Sequence, residues 1–438
     1  MRSRQTRPRL LQAVIDAFHL PDLRRRILLT LAILVVFRFV AHVPMPGVDI
    51  NALRQLFESN ALLGMLDMFS GSAMRNFSVA AMGVYPYITA SIVMTLMVPV
   101  IPRLQAISQE GEAGRHKIDR ITHWLTIPLA GFAGYGQLVL LQREGIVART
   151  ELLPTIAMIS ALIAGTIFLV WLGELITEYG IGNGISIIIF AGIVAGYPTT
   201  IGSGLMASGQ FGGLVIYGLI ALATIVVIII FTEAHRRIPV QYAKTVFRGG
   251  RMYKQAGGTS IPLRVNSAGM IPLIFSMSMV LFPGMVASYF ARPTGEPPNL
   301  ANAIVNLFDP GAPIPLGLFY WGLYFLLTIG FAFFYTMVIF QQQDLPGTLQ
   351  RQGGFVPGIR PGKHTADYFN QVITRITWAG AIFLALVAII PFLAREVTNV
   401  QVIQLSTMGL LIVVGVVLDT MKQLEAQLVM RRYEGFIK

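Results

Sequence analysis

Long apolar runs separated by short charged segments constrain the fold of this chain more than any other feature. Clear examples are residues 155–171, 214–231 and 317–340. Runs of this kind approach or exceed the roughly 20 residues that a helix needs to cross a bilayer. Only 12% of the 438 residues are charged, whereas soluble domains carry about 25%. A soluble fold would lack polar side chains for its surface, so the sequence predicts an all-α polytopic membrane protein.

Ten transmembrane helices are predicted, and an even number of spans places both chain ends on one side of the membrane. Lysine and arginine support this count, because 26 of the 33 lie in five segments on one side and only six lie on the other. The positive-inside rule makes the basic side cytoplasmic. The predicted spans are 26–43, 75–99, 121–142, 154–174, 184–198, 211–233, 267–290, 316–340, 372–393 and 403–420.

The spans divide into two groups of five. The N-terminal half covers 26–198, the C-terminal half covers 199–424, and a cytoplasmic tail follows at 425–438. Because each half has an odd number of spans, the two halves insert with opposite topology, as inverted repeats do. Residues 1–25 carry basic side chains and a one-sided apolar face that ends at Pro21. They predict a cytoplasmic amphipathic segment rather than a cleavable signal.

Reactive chemistry is not expected of this sequence. The chain has no cysteine and its six histidines are scattered, so it offers no thiol and no metal-ligand spacing. It also lacks a nucleotide-binding motif and a catalytic constellation at membrane depth. We therefore expect no cofactor and no enzyme activity, which disfavours an intramembrane protease.

A secondary transporter of small solutes is the alternative that the apolar spans leave open. Carriers of this class usually keep ionisable residues at mid-membrane, because ions and protons need ligands there. This sequence has almost none, and the exception in the first span, Arg38, is expected to snorkel outward. The shortage of ionisable residues therefore favours a passage that binds no ion.

A short apolar segment and two aliphatic pairs predict where such a passage lies. Residues 62–74 are apolar but too short to span, and they contain a Ser-Gly-Ser hinge. They form either an interfacial helix or, as we predict, a re-entrant plug held inside the protein. Val84 and Ile88 share one helix face, and so do Ile185 and Ile189. One such pair is ordinary packing, but aliphatic walls suit a gate that closes by excluding water.

Two long basic segments lie on the predicted cytoplasmic side, at 234–266 and 341–371. Contact with anionic lipid would explain their sign. Their length, and the glycine- and proline-rich stretch at 353–362, indicate a shaped surface instead. We therefore predict that both loops dock a cytoplasmic partner.

Six motifs in a fixed order resemble the SecY family, whose members are central subunits of the bacterial Sec translocon. The resemblance covers about residues 10–435. Its motifs are highly specific when taken together. They are MFSGS at 68–72, MGVYPYITAS at 82–91, EGEAGR at 110–115, WLGELITE at 171–178 with GIGNGIS at 180–186, RIPVQYAK at 237–244 and FVPGIRPG at 355–362.

The resemblance implies two inverted, pseudo-symmetric five-helix halves that form a clamshell around an hourglass pore. A ring of aliphatic side chains forms its waist, and a re-entrant helix plugs the closed pore from outside. By motif position, the pore ring comprises Val84, Ile88, Ile185, Ile189, Ile274 and Ile412. The plug residues are Leu62, Leu63, Met65, Leu66, Met68, Phe69, Ser70 and Gly71.

The same resemblance implies a lateral gate between spans two and three on one side and spans seven and eight on the other. Thr89, Asn266 and Ser267 fall in this gate region. The basic loops are expected to dock either the SecA motor ATPase or the ribosome. The residues expected to make this contact are Lys244, Arg248, Arg251, Arg360 and Lys363.

The function implied is that of a protein-conducting channel in the bacterial inner membrane. It would move unfolded, signal-bearing polypeptides across the membrane and release membrane spans sideways into the lipids. SecE and SecG are the small membrane partners expected. Two departures from the family pattern are Tyr85, where smaller residues are usual, and the sequence QQQD at 341–344.

Overall fold

A computed structural model describes most of the chain. The residues that it describes are 18–59, 63, 67, 70–147, 151–206, 211–248, 251–269, 271–292, 297–343, 345–360, 362–398 and 404–434. The predicted amphipathic segment at 1–25 lies outside them up to residue 17, and so do the last four residues of the tail.

Helices dominate the described residues, and three strands interrupt them. The helices of the first part are α1 (Pro21–Val40), α2 (Ile50–Ser59), α3 (Tyr85–Met97), α4 (Pro102–Ser108), α5 (Glu112–Arg143), α6 (Leu152–Tyr179), α7 (Gly184–Met206) and α8 (Phe211–Glu233). The elements that follow are β1 (His235–Arg248), β2 (Arg251–Arg264), α9 (Ile271–Ser288), α10 (Leu300–Leu307), α11 (Leu316–Gln343), α12 (Leu345–Arg351), β3 (Gly354–Phe355), α13 (Lys363–Thr398) and α14 (Gln404–Glu434).

Several helices are suited to cross a membrane. Among the described residues, five are long and apolar enough by length and composition, and a sixth results if the bent pair α3 and α4 counts as one span. Two shorter apolar helices lie at Gly184–Pro198 and Gly218–Glu233. Each of the ten predicted spans coincides with a helix over at least part of its length. The chain is thus a multi-pass helical protein, and the count of ten stays a prediction.

The predicted second span, 75–99, was wrong over its first part. Residues 71–84 form turns and an isolated bridge, and α3 begins only at Tyr85. Gly83 has a φ of +58°, which a helix does not accept, and Pro86 then occupies the first turn, where its missing N–H costs no bond. The chain bends by 102° between α3 and α4.

The fold class is not all-α, because the predicted loop at 234–266 is a long β-hairpin. Strands β1 and β2 pair antiparallel from His235 with Arg264 to Arg248 with Arg251. The second predicted loop supplies β3, which pairs with β1 at Tyr242 and gives a sheet of order β2-β1-β3. The polar, basic composition of these strands indicated a loop, although alternate residues such as Ile238 and Val240 are buried.

A small apolar core holds this sheet against helices. Buried side chains from both predicted loops and from the start of α13 form it: Ile238, Val240, Leu263, Leu349, Val356, Phe369 and Val372. Gly354 allows β3 to approach β1 and α12 closely, because a Cβ at this position would lie 2.8 Å from the Tyr242 ring and 2.9 Å from Leu349 Cδ2. The two loops therefore form one structured surface.

The described chain separates into two compact units. The first comprises 1–221, 278–321 and 391–438, and the second comprises 222–277 and 322–390. Glycine allows close helix packing in the first unit: a Cβ on Gly165 of α6 would collide with the Val79 carbonyl, and one on Gly184 of α7 with the Gly173 carbonyl. The predicted halves, 26–198 and 199–424, stay a prediction.

Candidate functional site

The predicted plug is described only in part. Leu62, Met65, Leu66, Met68 and Phe69 lie outside the described residues. Leu63, Ser70 and Gly71 are described, and all three are buried. Burial of these residues fits a segment held inside the protein rather than one lying flat at the membrane surface.

Gly71 is the point at which this segment touches two long helices. Its φ is +68°, and a Cβ built on it would lie 2.8 Å from the Cα of Gly192 in α7 and 3.0 Å from the Phe37 ring in α1. Arg38 of α1 donates a 2.7 Å hydrogen bond from Nη1 to the Gly71 carbonyl. Arg38 was expected to snorkel outward, and that expectation was wrong, because its guanidinium turns to this carbonyl.

Asp67 is a buried carboxylate inside the same segment. Its Oδ1 accepts hydrogen bonds from the backbone N–H of Arg75 at 2.9 Å and from Ser70 Oγ at 3.3 Å. The Arg75 Nε lies 3.3 Å from Oδ2, as an ion pair. Burial raises the pKa of the Asp67 carboxyl above its ordinary value, and the charge of Arg75 opposes that shift. The sequence alone placed Asp67 in the plug but gave it no role.

The pore-ring residues of the first unit are mostly buried. Val84 and Ile88 stand one turn apart at the start of α3, where the Ile88 N–H donates to the Val84 carbonyl at 3.0 Å. Both are buried, as are Ile189 and Ile412. Ile274 is buried as well, and it belongs to the second unit.

Ile185 has a different environment from the other ring residues. It is half-buried, and its Cδ1 packs at Gly173 of α6, where an added Cβ would lie 2.8 Å away. Ile193 continues the same face of α7 four residues after Ile189, and it is buried beside Gly192. The sequence analysis missed Ile193, although the i, i+4 spacing was available to find it.

Two tyrosines lie beside the plug: Tyr85, which the sequence analysis noted only as a departure from the family pattern, and Tyr289, which it did not name. Tyr85 donates from its hydroxyl to the Ser278 carbonyl at 3.3 Å, and Tyr289 donates to the Ala133 carbonyl at 3.3 Å. They border a cavity of about 20 Å³, which is enough for one water molecule. Its lining residues are Leu63, Met74, Met82, Tyr85, Gln137, Leu140, Met285, Ser288 and Tyr289. No local pattern links these residues, because they come from distant parts of the chain.

The predicted gate residues bond mainly to nearby backbone. Thr89 donates from Oγ1 to the Tyr85 carbonyl at 3.1 Å, one turn earlier in α3. Ser267 donates from Oγ to the Arg264 carbonyl at 2.8 Å, just after β2. Asn266, which belongs to the second unit, is buried. Their role in a gate stays a prediction.

The predicted docking residues lie on the sheet and its neighbouring turn. The backbone of Arg248 pairs with that of Arg251 near the tip of the hairpin, and the backbone of Lys244 pairs with that of Gln255 along it. Arg360 and Lys363 are exposed at the start of α13. Thr365 donates to the Arg360 carbonyl at 2.9 Å, which shapes that turn. The docking role itself stays a prediction.

The fold is shared with solved structures of protein-conducting channels. A structure described as a protein conducting channel matches with a TM-score of 0.64 at 16% identity, covering 95% of this chain and 97% of that one. A SecY channel, whose plug domain is said to stabilise its closed state, matches with a TM-score of 0.62. Sec61 from a canine ribosome-channel complex matches with a TM-score of 0.60. At such identities these likenesses establish the fold.

The chain belongs to the SecY family. The family model named SecY matches residues 78–421. The protein translocase subunit SecY of Streptomyces scabiei is 40% identical over 98% of this chain and 100% of its own length. That of Halalkalibacterium halodurans is 42% identical with the same coverage. These are channel subunits rather than enzymes, and the similarity does not favour the small-solute transporter.

Proposed function

We propose that this chain is the protein-conducting subunit of a bacterial Sec translocase. It moves unfolded, signal-bearing polypeptides across the inner membrane and releases membrane spans into the lipids. The observation that carries this proposal is similarity at about 40% identity, over nearly the full length, to relatives named protein translocase subunit SecY. The distribution of basic residues supports a cytoplasmic location for both chain ends.

The closed channel is sealed by an aliphatic waist and a plug. We place Val84, Ile88, Ile189, Ile274 and Ile412 in that waist, and the burial of all five supports the assignment. Ile193 is added because it extends the face of Ile189, whereas Ile185 packs toward α6. Aliphatic side chains form no hydrogen bonds, so they hold no passing residue tightly and exclude water when they meet.

Opening is proposed to separate the two five-helix halves of a ten-span clamshell. Thr89, Asn266 and Ser267 lie in the seam that would open toward lipid. A signal helix that fills this seam binds the open state more strongly than the closed one, and this differential affinity shifts the equilibrium. The channel supplies no chemical energy, so a partner must drive transport.

The basic sheet is the proposed docking surface for that partner. SecA or the ribosome would contact the hairpin tip at Arg248 and Arg251, the nearby Lys244, and the turn at Arg360 and Lys363. Pairing of β1 with β3 joins the two former loops into one surface, which supports a single docking site. SecE and SecG are the proposed membrane partners.

Cysteine cross-linking tests the route of the polypeptide, because the chain has no cysteine of its own. A single cysteine at Ile189 or Ile88 is combined with a secretory protein that carries one cysteine and is arrested midway. Oxidation is expected to give a disulfide that depends on the signal sequence. Val194 on α7 and Val93 on α3 are matched controls, because their side chains are 37% and 38% exposed.

A disulfide at the waist positions, with no disulfide at Val194 or Val93, would support the proposed route. If no disulfide forms at Ile189 or Ile88 although the secretory protein is shown to be bound in the channel, the waist is misplaced. If the secretory protein never engages the complex, the proposed function itself fails.

A further inference from the structure

The end of the plug folds around one carboxylate. Besides the two bonds to its Oδ1, Asp67 accepts at its backbone carbonyl from Ser70 Oγ at 2.9 Å and from the Ser72 N–H at 3.1 Å. Ser70 Oγ in turn accepts from the Met74 N–H at 3.0 Å. The segment from Ser70 to Arg75 is therefore tied to Asp67 by bonds to its carboxylate and its backbone carbonyl, and through Ser70 Oγ.

The charge of Asp67 makes this arrangement sensitive to Arg75. The Asp67 side chain is 3% exposed, while that of Arg75 is 36% exposed. A buried carboxylate is tolerated when it is paired and hydrogen-bonded, and removal of one partner leaves an uncompensated buried charge. Without Arg75, Asp67 would be more stable in water than inside the protein, so displacement of the plug would become easier.

A second cation fixes the same segment to a membrane helix. Arg38 of α1 donates to the carbonyl of Gly71, which lies in the Ser-Gly-Ser hinge four residues beyond Asp67. Gly71 also lies against Gly192, next to the waist residues Ile189 and Ile193. Moving the plug away from the waist must therefore break the Arg38 bond and separate Gly71 from α7.

We propose that Asp67, Arg75 and Arg38 form a charge latch that holds the plug closed and sets how strongly a signal sequence must bind to open the channel. This inference rests on the proposed function. Because opening is a two-state equilibrium, a weaker latch raises the resting open population and lowers the differential affinity that a signal must supply. Asp67 is thus a positioning residue whose effect depends on its charge and its partner.

A double-mutant cycle tests the latch in the whole complex. Arg75→Gln, Asp67→Asn and the double variant are reconstituted in bilayers, and ion conductance is measured without substrate. Arg75→Gln is expected to raise the resting conductance about tenfold, a value reduced from that of a fully buried pair because Arg75 is partly exposed. The double variant is expected to return to within about threefold of the wild type, because no unpaired charge remains.

A second readout measures the threshold for signal sequences. Arg75→Gln is expected to translocate a substrate with a weakened signal sequence better than the wild type does, and the double variant is expected to lose that gain. Arg54→Gln is the matched control, because Arg54 is an exposed arginine in α2. That control should leave both conductance and signal dependence unchanged.

The outcomes separate the latch from the channel function. If the double variant leaks as much as Arg75→Gln, Arg75 acts through packing and the latch is wrong. It is equally wrong if Arg75→Gln neither leaks nor relaxes signal dependence while the wild type translocates a normal substrate. If the wild type does not translocate that substrate, the proposed function fails instead. Should Arg75→Gln not accumulate, normal accumulation of the double variant supports the charge argument, and its failure refutes it.

Discussion

Replacing Gly71 with alanine tests whether the plug is held against α7. Two costs can be worked from the structure. Alanine at a φ of +68° costs about 1–2 kcal/mol of backbone strain. Its Cβ would also lie 2.8 Å from the Gly192 Cα, and backbone cannot yield there as a flexible side chain would, which adds about 1–3 kcal/mol. Displacement of the plug relieves both costs, so Gly71→Ala should favour the open state.

Gly47→Ala is the control for backbone strain that displacement of the plug does not relieve, because Gly47 lies outside the plug. Gly47 has a comparable φ of +81°, and a Cβ there meets nothing within 4 Å. The contact with Gly192 alone is worth about 1–3 kcal/mol, which corresponds to a change of about 5-fold to 150-fold in the ratio of open to closed channels. The assay is resting conductance of the reconstituted complex, together with a cross-link between plug and α7.

The expected result is a leak in Gly71→Ala that is at least about fivefold above that in Gly47→Ala. Equal conductance in the two variants would refute the reasoning, because an alanine outside the plug would then cause as large a leak as one inside it. A loss of the cross-link without any leak would show that the waist seals alone and that the plug contact does not set closure.

Three further predictions concern the latch and the sheet. Burial raises the pKa of Asp67 in the closed state, so the closed state binds the proton of this carboxyl more tightly than the open state does. The leak of Arg75→Gln should therefore fall as the pH falls through that raised pKa. A pH-independent leak would contradict this prediction. Phe369→Ala should destabilise the sheet by about 3–5 kcal/mol and speed hydrogen exchange in the hairpin, whereas Phe355→Ala, at a partly exposed site, should cost less. Arg360→Glu should weaken binding of the driving partner without raising conductance, and an increased leak would refute a purely docking role.

Hydropathy and charge predicted the class and much of the layout of this protein. A membrane span is encoded by consecutive residues, because each helix satisfies its own backbone hydrogen bonds, so its signal is local. Every predicted span accordingly coincides with a helix, although the second begins ten residues late, at Tyr85. The late start of this helix depends on Gly83, which has a positive φ, and on Pro86, which occupies the first turn of α3. Both act within one turn, so the mean hydropathy of the predicted span does not reveal them.

The three-stranded sheet shows where local composition misleads. Residues 235–264 are basic and polar, and they indicated a loop, yet Ile238, Val240 and Leu263 are buried in a core. Leu349, Val356 and Phe369, from about a hundred residues later, complete that core. A strand gains its stability from partners, so its own sequence does not reveal whether they are present.

By itself the sequence determined the membrane class, the location of most apolar helices and the family motifs. Tertiary structure alone decided that Arg38 reaches Gly71, that Gly71 lies on Gly192, and that Ile185 packs on Gly173. Asp67 and Arg75 are near in sequence, but only folding removes the Asp67 carboxylate from water. Its ion pair with Arg75 matters for stability because of that burial. The physical reason is that hydropathy acts on each segment separately, whereas burial and close approach depend on residues that the chain brings together from a distance.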